Sequence, residues 1–181
     1  MPSTLTKKQR ALVAELREMR SLMQLGFEEI EEFPKDARTV ALEVMRNKLV
    51  RGQVIVWYTL VDEFLTNRIC RFFFGKKRSF PVLWKTKRFR FFNYYVIEQL
   101  SLLPKLRLVK AVTAVPKGIA ADIELLNALR NALAHSFFPE NLRFAKPNWK
   151  GKTVFGIDGF KHLHEDAHKI FAYFRGDEDW Y

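Results

Sequence analysis

Val50, Val54, Trp57, Val61 and Phe64 recur at steps of three and four residues, in a stretch bounded by "FPKDA" on one side and Gly75 on the other. That spacing puts side chains on one face of an α-helix, and no proline interrupts it. The stretch therefore predicts one long helix, the longest of the chain, whose apolar stripe must be covered by other elements. The rest of the sequence supplies mostly helices to do so. "TKKQ" at residues 6 to 9 has capping-box spacing, with Thr6 as N-cap and Gln9 three positions on, and Gly26 is a stop for this first helix. "GKKRSFPVLWKTK" shows no sustained periodicity and reads as a charged loop before a third helix from about Phe89 to Leu102. Pro104 suits the first turn of a short fourth helix, and after "AVPKG" a fifth runs from about Ile119 to Phe137. "LRFAKPNWKGKTVFGI" offers two short strand-like runs around a turn near "NWKG", a small hairpin or else irregular loop. In the final helix Asp158 is the expected cap. Phe160, Leu163, Ala167, Ile170, Phe171 and Phe174 form its stripe, and Arg175 and Gly176 end it. The expected fold is mainly α, a bundle of five or six helices with a small β-hairpin before the last, as a single domain over residues 1–181.

Composition bounds the setting. With 181 residues, 48% of them hydrophobic, the chain can bury one sizeable core without staples. Cys70 is the only cysteine, so no internal disulfide can form, and "NRICRFFFG" suggests a buried thiol in a reducing compartment. The longest apolar run, "VIVWYTLV", is far shorter than a membrane span, and "MPSTLTKKQR" has no signal-peptide core. A cytoplasmic protein with no membrane partner is the expectation.

Thirty-one Lys and Arg against twenty Asp and Glu give a net charge of +11, which biases the partner toward a polyanion. Most of the excess lies between Phe64 and Ile97, where Arg68, Arg71, Lys76, Lys77, Arg78, Lys85, Lys87, Arg88 and Arg90 occur with no acidic residue. Aromatics are interleaved with them, a pattern suited to phosphates plus stacked bases. Lys76, Lys77, Arg78, Lys85, Lys87, Arg88 and Arg90 are the candidate nucleic-acid contacts, giving salt-sensitive affinity but little sequence choice. The competing reading makes many rings core and the cations an ordinary solvated surface.

Two motifs could carry chemistry. On the fifth helix Glu124, Asn127, Asn131 and His135 line one polar edge between apolar faces, with Arg130 beside Asn127. Such an edge should border a crevice or a partner surface, unless Arg130 and His135 merely pair with core carboxylates or carbonyls. "HEDAH" at residues 164 to 168 matches the H-E-x-x-H zinc-protease pattern, but only "KIFAYFRGDEDWY" follows it to supply a third ligand. The bland reading has His164 and His168 flanking a core-facing ridge, and no metal or other cofactor is expected.

"RNALAH" resembles the R-N-x-x-x-H form of the motif that marks the HEPN superfamily. The surrounding "LLNALRNALAHSFFPENL" and "WKGKTVFGIDGFKHLHEDAHKIFAYF" are similar to HEPN proteins in which a hairpin and one more helix follow the motif. The resemblance covers about residues 90 to 175. It implies a metal-independent RNA endonuclease in a toxin, defence or stress-response setting, working as a homodimer whose Arg and His residues meet in a cleft. Arg130 would hold the scissile phosphate, His135 would move protons, and Asn131 would position a proton or the 2′-OH. A cognate antitoxin or inhibitor protein fits that setting. HEPN toxins inactivated by a nucleotidyltransferase carry a Tyr two residues past the His, whereas this chain has Phe137, which argues against that route. The alternative is a non-catalytic HEPN module that binds nucleic acid or nucleotide as a regulator.

Overall fold

A computed structural model describes residues 34–75, 80–134 and 147–176. The chain divides into two compact units, Met1–Lys48 and Leu49–Tyr181. The first helix expected from "TKKQ" falls outside the described residues. What is described of the first unit is a turn closed by Ala37 N–H donating to Pro34 O at 2.9 Å, and the start of the helix that follows it. That helix, α1, spans Arg38–Phe74 and is the longest among the described residues, as its periodicity predicts.

Among the described residues five more helices follow: α2 (Phe80–Trp84), α3 (Lys87–Phe92), α4 (Leu102–Val112), α5 (Lys117–Ala134) and α6 (Ile157–Gly176). A two-stranded hairpin, β1 (Asn148–Trp149) and β2 (Lys152–Thr153), precedes the last of them. The expected mainly helical fold with a hairpin before its final helix is what the chain forms. In the second unit the stripe Val54, Trp57, Val61, Phe64 of α1 is buried against α4, α5 and α6 residues of one apolar cluster, among them Leu106, Leu126, Ile170 and Phe174. Phe64 stacks on Phe174 with ring centroids 5.5 Å apart and meets Phe171 at 5.7 Å. Each fully buried ring of this kind contributes roughly 1.5–3 kcal/mol by leaving water.

Three local expectations are corrected. "FPVLW" forms the one-turn helix α2 instead of loop. Leu83 drops into the core, and its carbonyl accepts from Thr86 Oγ1 at 2.8 Å, so tertiary burial supplies what periodicity lacked. The third helix starts earlier and ends sooner than Phe89 to Leu102. Thr86 caps α3 by accepting from Phe89 N–H at 3.2 Å, and the helix widens into a π-turn over Asn93–Ile97. Asn93 Nδ2 donates to Glu98 Oε1 at 2.7 Å at that turn. Ser101, in extended backbone, then opens α4, with Pro104 in the first turn, where its missing N–H leaves no bond unmade. Asp158 is not the cap of α6. It lies inside the first turn, where a carboxylate still complements the helix dipole.

The hairpin pairs Asn148 with Thr153 and Trp149 with Lys152. Both turn residues have positive φ, 47° at Lys150 and 86° at Gly151, the geometry that matches the twist of two flanking strands. So short a hairpin is not stable alone. It is anchored by Trp149, which is fully buried, and by a close approach at Gly159 of α6, where an added methyl would run into the Thr153 carbonyl. Gly159→Ala is therefore expected to destabilise by about 1–3 kcal/mol, the usual cost of overpacking. A chemical-denaturation midpoint equal to that of the parent chain would refute this.

Candidate functional site

Helix α5 positions the "RNALAH" residues because Ile123, Leu126, Leu129 and Leu133 are all buried on one face. Arg130 and Asn131 are thereby turned outward, and both are exposed. The Arg130 guanidinium lies 5.1 Å from the centre of the Tyr58 ring, and its Nη1 donates to Asn131 Oδ1 at 3.1 Å. A planar cation resting on a ring face keeps its edge available while its direction is fixed. His135 lies outside the described residues, as do Lys76, Lys77 and Arg78.

Arg130 borders a cleft of about 370 Å³ between α1 and α5, lined by Arg51, Val54, Ile55, Tyr58, Thr59, Arg130, Leu133 and Ala134. Of that polar edge and its flank only Arg130 borders this crevice, and Glu124, Asn127 and Asn131 do not line it. Arg51 is a residue that the sequence reading did not single out. Its signal is present in retrospect, since Arg51 shares the face of α1 that carries Val54 and Tyr58, where a guanidinium is out of place. Two guanidiniums, a phenol and the Thr59 hydroxyl on apolar walls form a setting for an anion of phosphate size.

A second cleft, of about 490 Å³, shares Tyr58 and has the opposite character. Asp62, Glu63 and Glu98 line it with Trp84, and Lys105, itself buried, pairs with Asp62 at 2.6 Å. Of the basic segment, Lys85, Lys87, Arg88 and Arg90 are all exposed, and Arg88 sits 5.7 Å from the centre of the Phe74 ring.

"HEDAH" lies on α6 with His164, Glu165 and His168 exposed. The two imidazoles are 4.3 Å apart, and His164 also packs against Trp57 at 5.7 Å. Among the described residues no group of three His, Cys, Asp or Glu is placed to hold a metal ion. The buried polar member is Asp166. It accepts from Trp149 Nε1 at 2.9 Å, Lys150 Nζ at 2.7 Å and Lys169 Nζ at 2.8 Å, and Lys150 also reaches Asp122 at 2.7 Å. Burial by itself would raise the Asp166 pKa, but the hydrogen bonds from Lys150, Lys169 and Trp149 outweigh it and hold the carboxyl well below the usual range. Burial would likewise lower the Lys150 pKa, and the bonds to Asp122 and Asp166 raise it instead. Elemental analysis of the purified chain is expected to find far less than one zinc per chain. About one zinc, lost on replacing His164 or His168, would reinstate a hydrolase site.

Cys70 is fully buried, and its thiol is pushed up to about 11, chiefly by burial, so it is a packing residue and not a nucleophile at neutral pH. No described helix is long and apolar enough to cross a membrane. No family model matches the chain, and no curated protein or solved structure matches it significantly.

Proposed function

We propose that the chain is a metal-independent RNA endonuclease of the HEPN type. Arg130 stabilises the phosphate, His135 transfers protons, and Asn131 helps to position them. The observation that carries this reading is the placement of Arg130 and Asn131 at the outward edge of α5, with Arg130 and Arg51 lining one cleft. A ribonuclease that uses the 2′-OH needs charge stabilisation at the phosphate and an imidazole that can change protonation near neutrality, and no more. Arg51 extends the assignment as a second phosphate-holding cation. In this reading two copies of the chain form the working unit, and a cognate antitoxin or inhibitor protein holds it in check.

The direct test is to incubate the pure protein with structured RNA in EDTA. Cleavage that disappears in His135→Ala supports the proposal. RNA binding without cleavage at any pH between 5 and 9 would leave a regulator that only binds.

A further inference from the structure

Helix α3 and the π-turn after it carry rings on more than one side among the cations Lys87, Arg88 and Arg90, and only one side is covered. Phe89, Asn93 and Ile97 are buried, and Phe89 meets Phe74 and Trp84 at 5.2 Å each. That anchoring turns Phe91, Tyr94 and Tyr95 outward, and together with Phe72 and Phe73 at the end of α1 they are between 52% and 65% exposed. Exposed rings in such number mark an interaction site, since isolated ones are ordinary but clusters are not. They are also held in fixed orientations by one another. Phe91 and Tyr95 lie 4.6 Å apart at 40°, Tyr94 and Tyr95 4.9 Å apart at 83°, and Phe72 and Phe73 5.2 Å apart at 87°. The result is a set of differently tilted flat faces, unlike a single apolar wedge of the sort that enters a bilayer. Lys85, Lys87, Arg88 and Arg90 stand exposed in the same segment, which contains no carboxylate from Phe64 to Ile97.

From this we infer that the exposed rings Phe91, Tyr94 and Tyr95 stack on unpaired nucleobases while Lys85, Lys87 and Arg90 hold the intervening phosphates. The protein thereby selects single-stranded over duplex nucleic acid. Every base has a π-face, so the surface is tolerant of sequence, and a paired base has none to offer. The inference deepens the ribonuclease reading by naming the form of its substrate, and it rests on that reading for the choice of RNA.

The test uses a fluorescein-labelled 2′-O-methyl RNA dodecamer, which has no 2′-OH to react, so that binding is read apart from cutting. Anisotropy is followed across a salt series for the single strand and for its duplex. Tighter binding of the single strand is expected at equal salt. Changing Phe91, Tyr94 and Tyr95 together to Ala should weaken it at least roughly ten-fold, given the per-base contribution of stacking, without altering the salt slope. Lys85→Gln, Lys87→Gln and Arg90→Gln together should instead flatten that slope. Phe91→Leu keeps an apolar side chain at that position and removes its ring. It should still weaken the single strand measurably, and this variant reads the proposal if the triple one does not fold. Equal binding of duplex and single strand, unmoved by loss of the rings, would overturn the proposal. So would ring-dependent capture by phosphatidylserine vesicles with no strand bound, or a ring-dependent change in sedimentation with strand affinity intact. Tight, ring-dependent binding alongside intact RNA in EDTA would sink the nuclease reading and leave this surface standing.

Discussion

An RNA with a single 2′-deoxy substitution at the mapped cut site is expected to resist cleavage there, while neighbouring sites are cut as before. The reason is that the proposed site supplies cations and an imidazole but assigns no role to a metal that would make hydroxide from water, so the nucleophile comes from the substrate. The 2′-oxygen bonds to phosphorus as the bond to O5′ breaks, the proton leaving the 2′-OH is taken up, and one is returned to O5′. The products are a 2′,3′-cyclic phosphate and a 5′-OH. Flexible, unpaired nucleotides reach the in-line geometry most readily, which agrees with a surface selective for single strands. His135→Ala and Arg130→Ala should each lower the rate by at least about 10²-fold. Arg130 is exposed, so its loss should leave the melting temperature nearly unchanged. Arg51→Gln should chiefly weaken substrate binding, by about ten-fold, the worth of one hydrogen bond to a charged group. Undiminished cutting at the 2′-deoxy position would show water to be the nucleophile and would remove the roles given to Arg130 and His135.

The largest stability effect is expected at Asp166. Asp166→Ala leaves the buried Trp149 indole N–H without its acceptor and removes the Lys150 tie between the hairpin and α6, which should cost about 2–4 kcal/mol. Asp166→Asn preserves an acceptor for one donor but not the charge, and should fall between. The pH dependence has a definite sign. Because the folded pKa of Asp166 is depressed, its contribution is fully present above the ordinary carboxylate value of about 4, and it is lost progressively as pH falls toward the folded value. Unfolding midpoints of the parent chain should therefore decline below about pH 5 more steeply than those of Asp166→Asn. Parallel declines would show that the Lys150–Asp166–Lys169 cluster adds nothing to the acid response.

Gly159 and Asp166 show why parts of this architecture stayed hidden in the sequence. Helical spacing puts Glu165 opposite the apolar stripe and Asp166 at its flank, but nothing local says that Asp166 will be buried beneath Trp149 and Lys150. That burial arises because the hairpin folds onto α6 from residues 148–153, a contact between segments that no local pattern encodes. The same applies to Arg51, which joins Arg130 only when α1 and α5 lie side by side. The rings of α3 were ambiguous for a related reason. Rings fall on more than one side of this segment, and only the packing decides that Phe89 goes inward while Phe91, Tyr94 and Tyr95 face solvent.

What the sequence determined by itself are the features carried by local periodicity and turn chemistry. These are the span of α1 up to Gly75, a turn near "NWKG" and the apolar stripe of α6. Each follows from forces acting within a few residues, where spacing and backbone preference are decisive. The tertiary structure alone decided that "FPVLW" is helical, that α3 yields to a π-turn, that Arg51 shares the cleft of Arg130, and which aromatic rings meet water. Those outcomes depend on burial against residues distant in the chain, and the free energy of burial is set by the neighbours a side chain finds, not by the residues beside it in sequence.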